Sequence, residues 1–269
     1  MKIIIPMAGK GSRFINESDK NPDYKNPKPF INVLGKPMIE WALESLPFVD
    51  LPRRPATTEF KVLSCDLIFI CRPDHETDHH ITERLKSLFG KDIRVIITHK
   101  PPLGALYHTL EAKNLVDNDE AVIVSDCDHY FDGTTLYQAI LHKDADTVGV
   151  IPVFPPPDNE VKWSYTLFDK NHTAHAVGEK DPNLASQGAH ANIGGYYFSS
   201  GALFVREGEE MISQNDKYGP AGKEEFYLAP LYNRLIKKGI KVKVALIPEV
   251  WGLGTPKDLE NFVSHFHKN

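Results

Sequence analysis

The chain has 269 residues, 41% of them hydrophobic, with 20 prolines and a formal net charge of −5. That length suits one large α/β domain or two small ones, and the mild acidity excludes a general nucleic-acid binder while leaving room for a local basic phosphate pocket. The three cysteines, Cys65, Cys71 and Cys127, lack zinc-type spacing and read as reduced thiols.

At the N-terminus, Met1-Lys2-Ile3-Ile4-Ile5 is cut off by Pro6, too soon for an export signal, so a cytoplasmic location is expected. Lys2–Pro6 is the first predicted strand, followed by the glycine-bearing loop Met7-Ala8-Gly9-Lys10-Gly11-Ser12-Arg13-Phe14. Asn16 to Lys28 reads as a polar, extended loop. Pro37 suits the first turn of a helix that runs to Leu46, and residues 47–64 read as irregular. Strand and helix signals then alternate. Leu67–Cys71 predicts a buried strand, Glu76–Phe89 a helix, Arg94–Thr98 a strand and Ala105–Val116 a helix. Ala121–Ser125 predicts a strand entering Asp126-Cys127-Asp128, and a helix over Thr134–His142 and a strand over Thr147–Val153 complete the first half.

After the stiff Pro152–Pro157 break, Trp163–Asp169 and Ala174–Glu179 read as a hairpin. Ile193–Phe198 predicts a strand, Ala202–Ile212 and Lys223–Lys238 helices, Lys241–Ile247 a strand and Lys257–His267 a closing helix. The β-α-β-α rhythm implies a Rossmann-like α/β fold, a mostly parallel sheet with helices on both faces. Residues 1–269 are expected to form a single domain, with a nucleotide-binding half over 1–153 and an acceptor-binding half over 154–269. No apolar run approaches the roughly 20 residues of a membrane span, so neither membrane nor nucleic acid is an expected partner.

Ligands of such sheets sit beyond the carboxyl ends of the strands. Gly9–Arg13 and Asp126–Asp128 both follow predicted strands and should converge on one cleft. Gly9 and Gly11 let backbone amides approach a phosphate, and Arg13 can fork onto its oxygens. Lys28, between Pro27 and Pro29, has a constrained backbone that favours one side-chain direction, whereas Lys36 reads as structural. Two acidic residues at a strand end can hold a divalent ion or merely cap the next helix, and strand alternation would point Asp126 and Asp128 to opposite sides. Cys127 reads as a buried filler, Trp41 and Trp251 as core, and Glu224-Glu225 as acidic residues at a helix start, with substrate binding as their secondary reading.

The two-part pattern MAGKGSRF and NPKPFINVLGKPMIEWALESL resembles the sugar-phosphate nucleotidyltransferase family, which includes glucose-1-phosphate thymidylyl- and cytidylyltransferases and phosphocholine cytidylyltransferases. The resemblance implies the nucleotidyltransferase (GT-A-like) fold and Mg2+ as cofactor. It implies that Arg13 and Lys28 are catalytic, holding the triphosphate and the reacting phosphates. It implies nucleotide contacts from Met7, Ala8, Gly9, Lys10, Gly11, Ser12, Leu103, Gly104, Ala105 and Asp126. Asp128 matches the family's magnesium aspartate. Many members carry a second metal aspartate where this chain has Gly252, so either Asp126 replaces it or triphosphate oxygens and water complete the shell. The acceptor pocket is expected to draw on Trp163, Tyr165, Glu179, Lys180, Asn192 and Tyr196. Family members are often homo-oligomers, which extends to this chain as an expectation.

The implied reaction moves a nucleoside monophosphate from CTP, dTTP or UTP onto a sugar 1-phosphate or another small phosphomonoester and releases pyrophosphate. Two other readings compete. Asp126-Cys127-Asp128 is literally a D-x-D, the metal motif of many glycosyltransferases, although the glycine loop and the Lys28 segment suit a triphosphate better. A non-catalytic nucleotide- or sugar-phosphate-binding module would explain Gly252.

Overall fold

The β-branched run Lys2–Pro6 forms strand β1, with Ile3, Ile4 and Ile5 all fully buried. Alternation sends Ile3 and Ile5 into one core and Ile4 into the other, which is why the strand is apolar on both faces. Each such side chain contributes about 1.5–3 kcal/mol of burial. The computed structural model describes residues 1–156, 161–219 and 221–266.

Nine further strands complete the main sheet: β2 (Leu67–Cys71), β3 (Arg94–Ile97), β4 (Val122–Val124), β5 (Thr147–Phe154), β6 (Ser164–Phe168), β7 (Ala174–Glu179), β8 (His190–Asn192), β9 (Tyr196–Phe198) and β10 (Lys241–Leu246). Their order is β7-β6-β8-β5-β9-β4-β1-β2-β3, with β10 on β5. The fold class is Rossmann-like α/β, as read from the sequence. Its parallel pairing joins β4, β1, β2 and β3, and β10 to β5; the other second-half strands enter antiparallel.

Strand β1 is flanked by β2 on one side and β4 on the other. The chain therefore reverses its winding direction at β1, and a crevice opens beyond the carboxyl ends of β1 and β4. Backbone bonds from Met7 N to Ile70 O (2.8 Å) and from Ser125 N to Ile4 O (2.9 Å) carry the order of the sheet into both loops.

A third core cluster lies outside the sheet. Phe14, Tyr24, Ile31, Val33, Met38 and Trp41 pack with Leu253, Leu259 and Phe262. It ties the glycine loop and the Lys28 segment to the C-terminal helix Pro256–His265. His267, the predicted end of that helix, and Pro157, in the proline break, lie outside the described residues.

Several elements differ from the sequence reading. The Glu76–Phe89 helix is two helices, Pro73–His79 and Ile81–Phe89, because His80 turns left-handed (φ 50°) and the Glu76 carboxylate accepts from Thr82 N and Oγ1 to start the second. The Ala105–Val116 helix is three short turns, Ala105–Thr109, Leu110–Ala112 and Lys113–Val116. The helix expected over Lys223–Lys238 begins only at Pro230, whose ring fits a first turn but cannot accept a preceding one. Residues before it bridge Tyr218 to Glu225 and bury Phe226 and Leu228. His129–Phe131 pairs with Val250–Gly252 in a small ribbon that the sequence did not signal. The three cysteines are unpaired. Among the described residues no helix is long and apolar enough to cross a membrane.

Candidate active site

The glycine loop turns at Gly11 (φ 65°) into the short helix Ser12–Ile15, anchored by Phe14, which is buried and meets Tyr24 edge-on at 5.0 Å. Lys28 opens a tight turn, Lys28–Phe30, between its two prolines. That turn is braced by Arg84, whose guanidinium lies 4.0 Å over the Phe30 ring. The constrained backbone sends the Lys28 amine across the crevice onto Asp128 Oδ2 at 2.6 Å, joining residues 100 positions apart. Lys36, in the same stretch of sequence, instead lies over the Trp41 ring at 3.6 Å and pairs with Glu44.

Asp128 is held by its carbonyl, which accepts from Leu253 N at 2.8 Å. Two glycines leave room for the carboxylates. A Cβ on Gly194 would stand 2.2 Å from Asp126 Oδ2, and one on Gly254 2.9 Å from Asp128 Oδ2. Ligand atoms of Asp126, Asp128 and His129 all lie within 4.8 Å of one another. The chain turns after β4, so the two aspartates share a side instead of alternating.

The charges here are strongly perturbed. Burial and the Asp128 charge push the Asp126 carboxyl up to about 7, with Lys28 opposing. Burial would also raise Asp128, but the Lys28 charge and hydrogen bond hold it below the usual carboxylate range, helped by His129 and Arg13. Lys28 is itself raised, since Asp128 outweighs the burial that would lower it. Burial pulls His129 down to about 4 and lifts the Cys127 thiol to about 12, so Cys127 is a filler and not a nucleophile.

These groups face a cavity of about 1270 Å³. Met7, Ala8, Gly9, Lys10, Arg13, Lys28, Gly104, Ala105, Asp126 and Asp128 line it, as do Glu179, Asn192, Tyr196 and Trp163. Gly11 and Ser12 do not; they shape the turn behind the wall. Leu103 does not either. Its backbone carbonyl accepts from Phe226 N, and its side chain packs toward the core. Tyr165 is a further correction: it is 1% exposed inside the core, because strand alternation turns Ser164 to the cavity and Tyr165 away. Lys180 is also outside the lining. Its amine donates to Tyr227 Oη at 3.0 Å and lies 3.5 Å from Glu179.

The far wall is rich in acids and aromatics. The Glu179 carboxylate accepts from the Ser164 hydroxyl, and burial raises its pKa. Asn192 Oδ1 accepts from Thr166 Oγ1 at 2.6 Å, which leaves its buried Nδ2 without a partner. The sequence reading missed His108, His129, Lys162, Tyr227, Glu249, Lys257, Asp258 and Asn261, gave Glu225 only a secondary role in substrate binding, and placed Trp251 in the core although that residue also reaches the cavity. Asp258 stands beside Gly252, 3.8 Å from where a Cβ would lie, and is held by Thr255 Oγ1 at 2.7 Å. Its only sequence signal is the Thr-Pro-x-Asp helix start.

A strand-end crevice with a glycine loop, a lysine and paired aspartates defines a nucleotide-handling protein of the transferase type. The model of the MobA-like NTP transferase domain matches residues 3–186, more than half of the chain, and the chain belongs to that family. No curated protein matches it in sequence. Among solved structures it is similar to a nucleoside-diphosphate-sugar pyrophosphorylase from Vibrio cholerae RC9, with TM-score 0.71 and 24% identity over 98% of this chain and 100% of that one. It is similar to a Bacillus anthracis protein described as a glucose-1-phosphate thymidylyltransferase, with TM-score 0.70 and 17% identity over 100% and 97% of the two chains. A third is the inositol-1-phosphate CTP transferase of T. maritima, with TM-score 0.68 and 13% identity over 100% and 98%. At these identities the likeness establishes the fold.

Proposed function

We propose that the protein transfers a nucleoside monophosphate from CTP, dTTP or UTP to a sugar 1-phosphate or another small phosphomonoester and releases pyrophosphate. The observation that carries this reading is the 2.6 Å contact between Lys28 and Asp128, which brings two distant segments of the chain onto one crevice. Family membership and the neighbours' activities support it. The product would be a nucleotide sugar or an analogue, made in the cytoplasm. Residues 1–269 would act as one domain, its first half on the nucleotide and its second on the acceptor.

The acceptor phosphate has a second pKa of about 6 and is already anionic at neutral pH, so no general base is required. Repulsion is the obstacle. Two unit charges 4 Å apart oppose each other by about 4 kcal/mol at an effective dielectric of 20. Arg13, Lys28, Lys10 and the amides of residues 8–10 would neutralise the triphosphate and hold it in line with the acceptor. Asp126 and Asp128 would hold Mg2+, since their oxygens converge closely enough to share one ion. When bound, that ion would supply further positive charge to the triphosphate oxygens. With nucleotide in place, Lys28 would exchange Asp128 for a phosphate. On the opposite wall, Asn192 Nδ2 is a buried donor suited to an acceptor oxygen.

A screen of the common triphosphates against sugar phosphates and small phosphomonoesters, read as pyrophosphate release, tests the proposal. Release that requires both substrates supports it. Tight nucleotide binding with no release from any pair would show a binding module instead.

A further inference from the structure

The fit of Asp126 and Asp128 to a cation leaves one neighbour without a role. His129 is 2% exposed, and neither ring nitrogen has a hydrogen-bond partner. A buried imidazole without a partner forfeits the free energy of its lost hydration, so such groups call for an explanation. The His129 backbone is paired with Gly252 in the ribbon, and the ring rests against Phe131 at 5.3 Å. It faces the cavity, and one of its nitrogens lies within 4.8 Å of ligand oxygens on both aspartates. Adjacent donors on a small octahedral ion stand about 3 Å apart and opposite ones about 4.2 Å, so at least two of the three separations must tighten to about 3 Å as the ion binds, a movement within reach of side-chain rotation.

We propose that His129 is a third protein ligand of the divalent ion at Asp126 and Asp128, and that this makes the site selective for a nitrogen-accepting transition ion such as Mn2+ or Co2+ over Mg2+. The inference rests on the proposed cation site and deepens it. Magnesium is a hard ion that takes oxygen donors and keeps much of its water. A neutral imidazole adds little for it but strengthens binding of first-row transition ions, in the order of their affinity for nitrogen. Binding would also satisfy one of the two orphaned nitrogens. The ribbon register sets the position of the ring, since Gly252 opposite His129 brings no side chain of its own into the site.

The test uses the full chain and Mn2+ alone, followed by electron paramagnetic resonance. Wild type is expected to show nitrogen coupling on the bound ion that changes when the protein is made with 15N-labelled histidine, which separates imidazole from the Lys28 amine. Calorimetry should give Mn2+ binding at least about tenfold tighter than Mg2+, and His129→Phe or His129→Asn should reduce that preference to about threefold or less. Asp128→Asn marks the site. If Mn2+ binding depends on Asp128 but carries no histidine coupling, the inference is overturned while the cation site stands. If Asp128→Asn leaves Mn2+ binding unchanged, the cation site itself is wrong and the inference falls with it.

Discussion

On the wall of the cleft proposed to hold the nucleotide, Arg13, Lys28, Asp126 and Asp128 come from three short stretches, two after β1 and one after β4, and each sits in a motif that can be read one residue at a time. On the wall proposed to hold the acceptor, Ser164, Glu179, Asn192, Glu225 and Tyr227 come from three strands and a loop spread over the second half of the chain. The first wall holds paired opposite charges. The second holds a buried acid, an unpaired amide donor and aromatic rings. Under the proposed function, phosphate chemistry common to many enzymes would demand the first arrangement, whereas the second would answer to one acceptor.

If that division of labour is right, the largest effects come from the nucleotide wall. Lys28→Ala should cut turnover about 10²–10³-fold, the scale for losing one charge-stabilising donor. Steady-state pyrophosphate release checks this, and turnover within threefold of wild type would mean that another cation does the work. Gly194→Ala tests the contact between the walls. A Cβ there would meet Asp126 Oδ2 at 2.2 Å, so the carboxylate must move by about 1 Å, which should cost on the order of 10²-fold in turnover.

A smaller effect appears in stability. Burial and Asp128 raise Asp126 to about 7 in the folded, metal-free protein, above its unfolded value. Its contribution is therefore full in acid and lost as pH rises toward 7. Asp126→Asn cannot ionise, so its melting temperature relative to wild type should climb by roughly 5–10 °C between pH 5 and 8. A flat difference across that range would mean that Asp126 ionises normally. By the same sign, divalent-ion binding to wild type should strengthen as pH rises through 7. The smallest effect is expected from Lys180→Met. Lys180 is engaged with Tyr227 and Glu179 outside the lining, so turnover should change by about fivefold or less. A loss approaching that of Lys28→Ala would erase the distinction between the walls.

The same contrast explains what could be read before the structure was known. The strands of the first half were legible because β1, β2 and β4 are unbroken apolar runs buried on both faces. The glycine loop, Lys28 and the aspartates were legible because phosphate and metal chemistry restrict residue type and spacing. Tyr165 was misplaced by one residue, since a short strand with both faces covered does not show which face meets the cavity. Tyr227 was hidden, and Glu225 read first as a helix-start acid, inside a stretch with helical composition that Pro230 keeps from being helical. The role of His129 depends on a ribbon between residues more than a hundred positions apart, for which no local pattern exists.

The most direct test of the central claim is calorimetric binding of a non-cleavable α,β-methylene triphosphate to wild type, Lys28→Ala and Asp128→Asn, with and without a divalent cation. The account predicts that the cation tightens binding to wild type at least about tenfold, that Asp128→Asn abolishes this gain, and that Lys28→Ala weakens binding in both conditions. Equal affinity in all three proteins, with the cation making no difference, would contradict it.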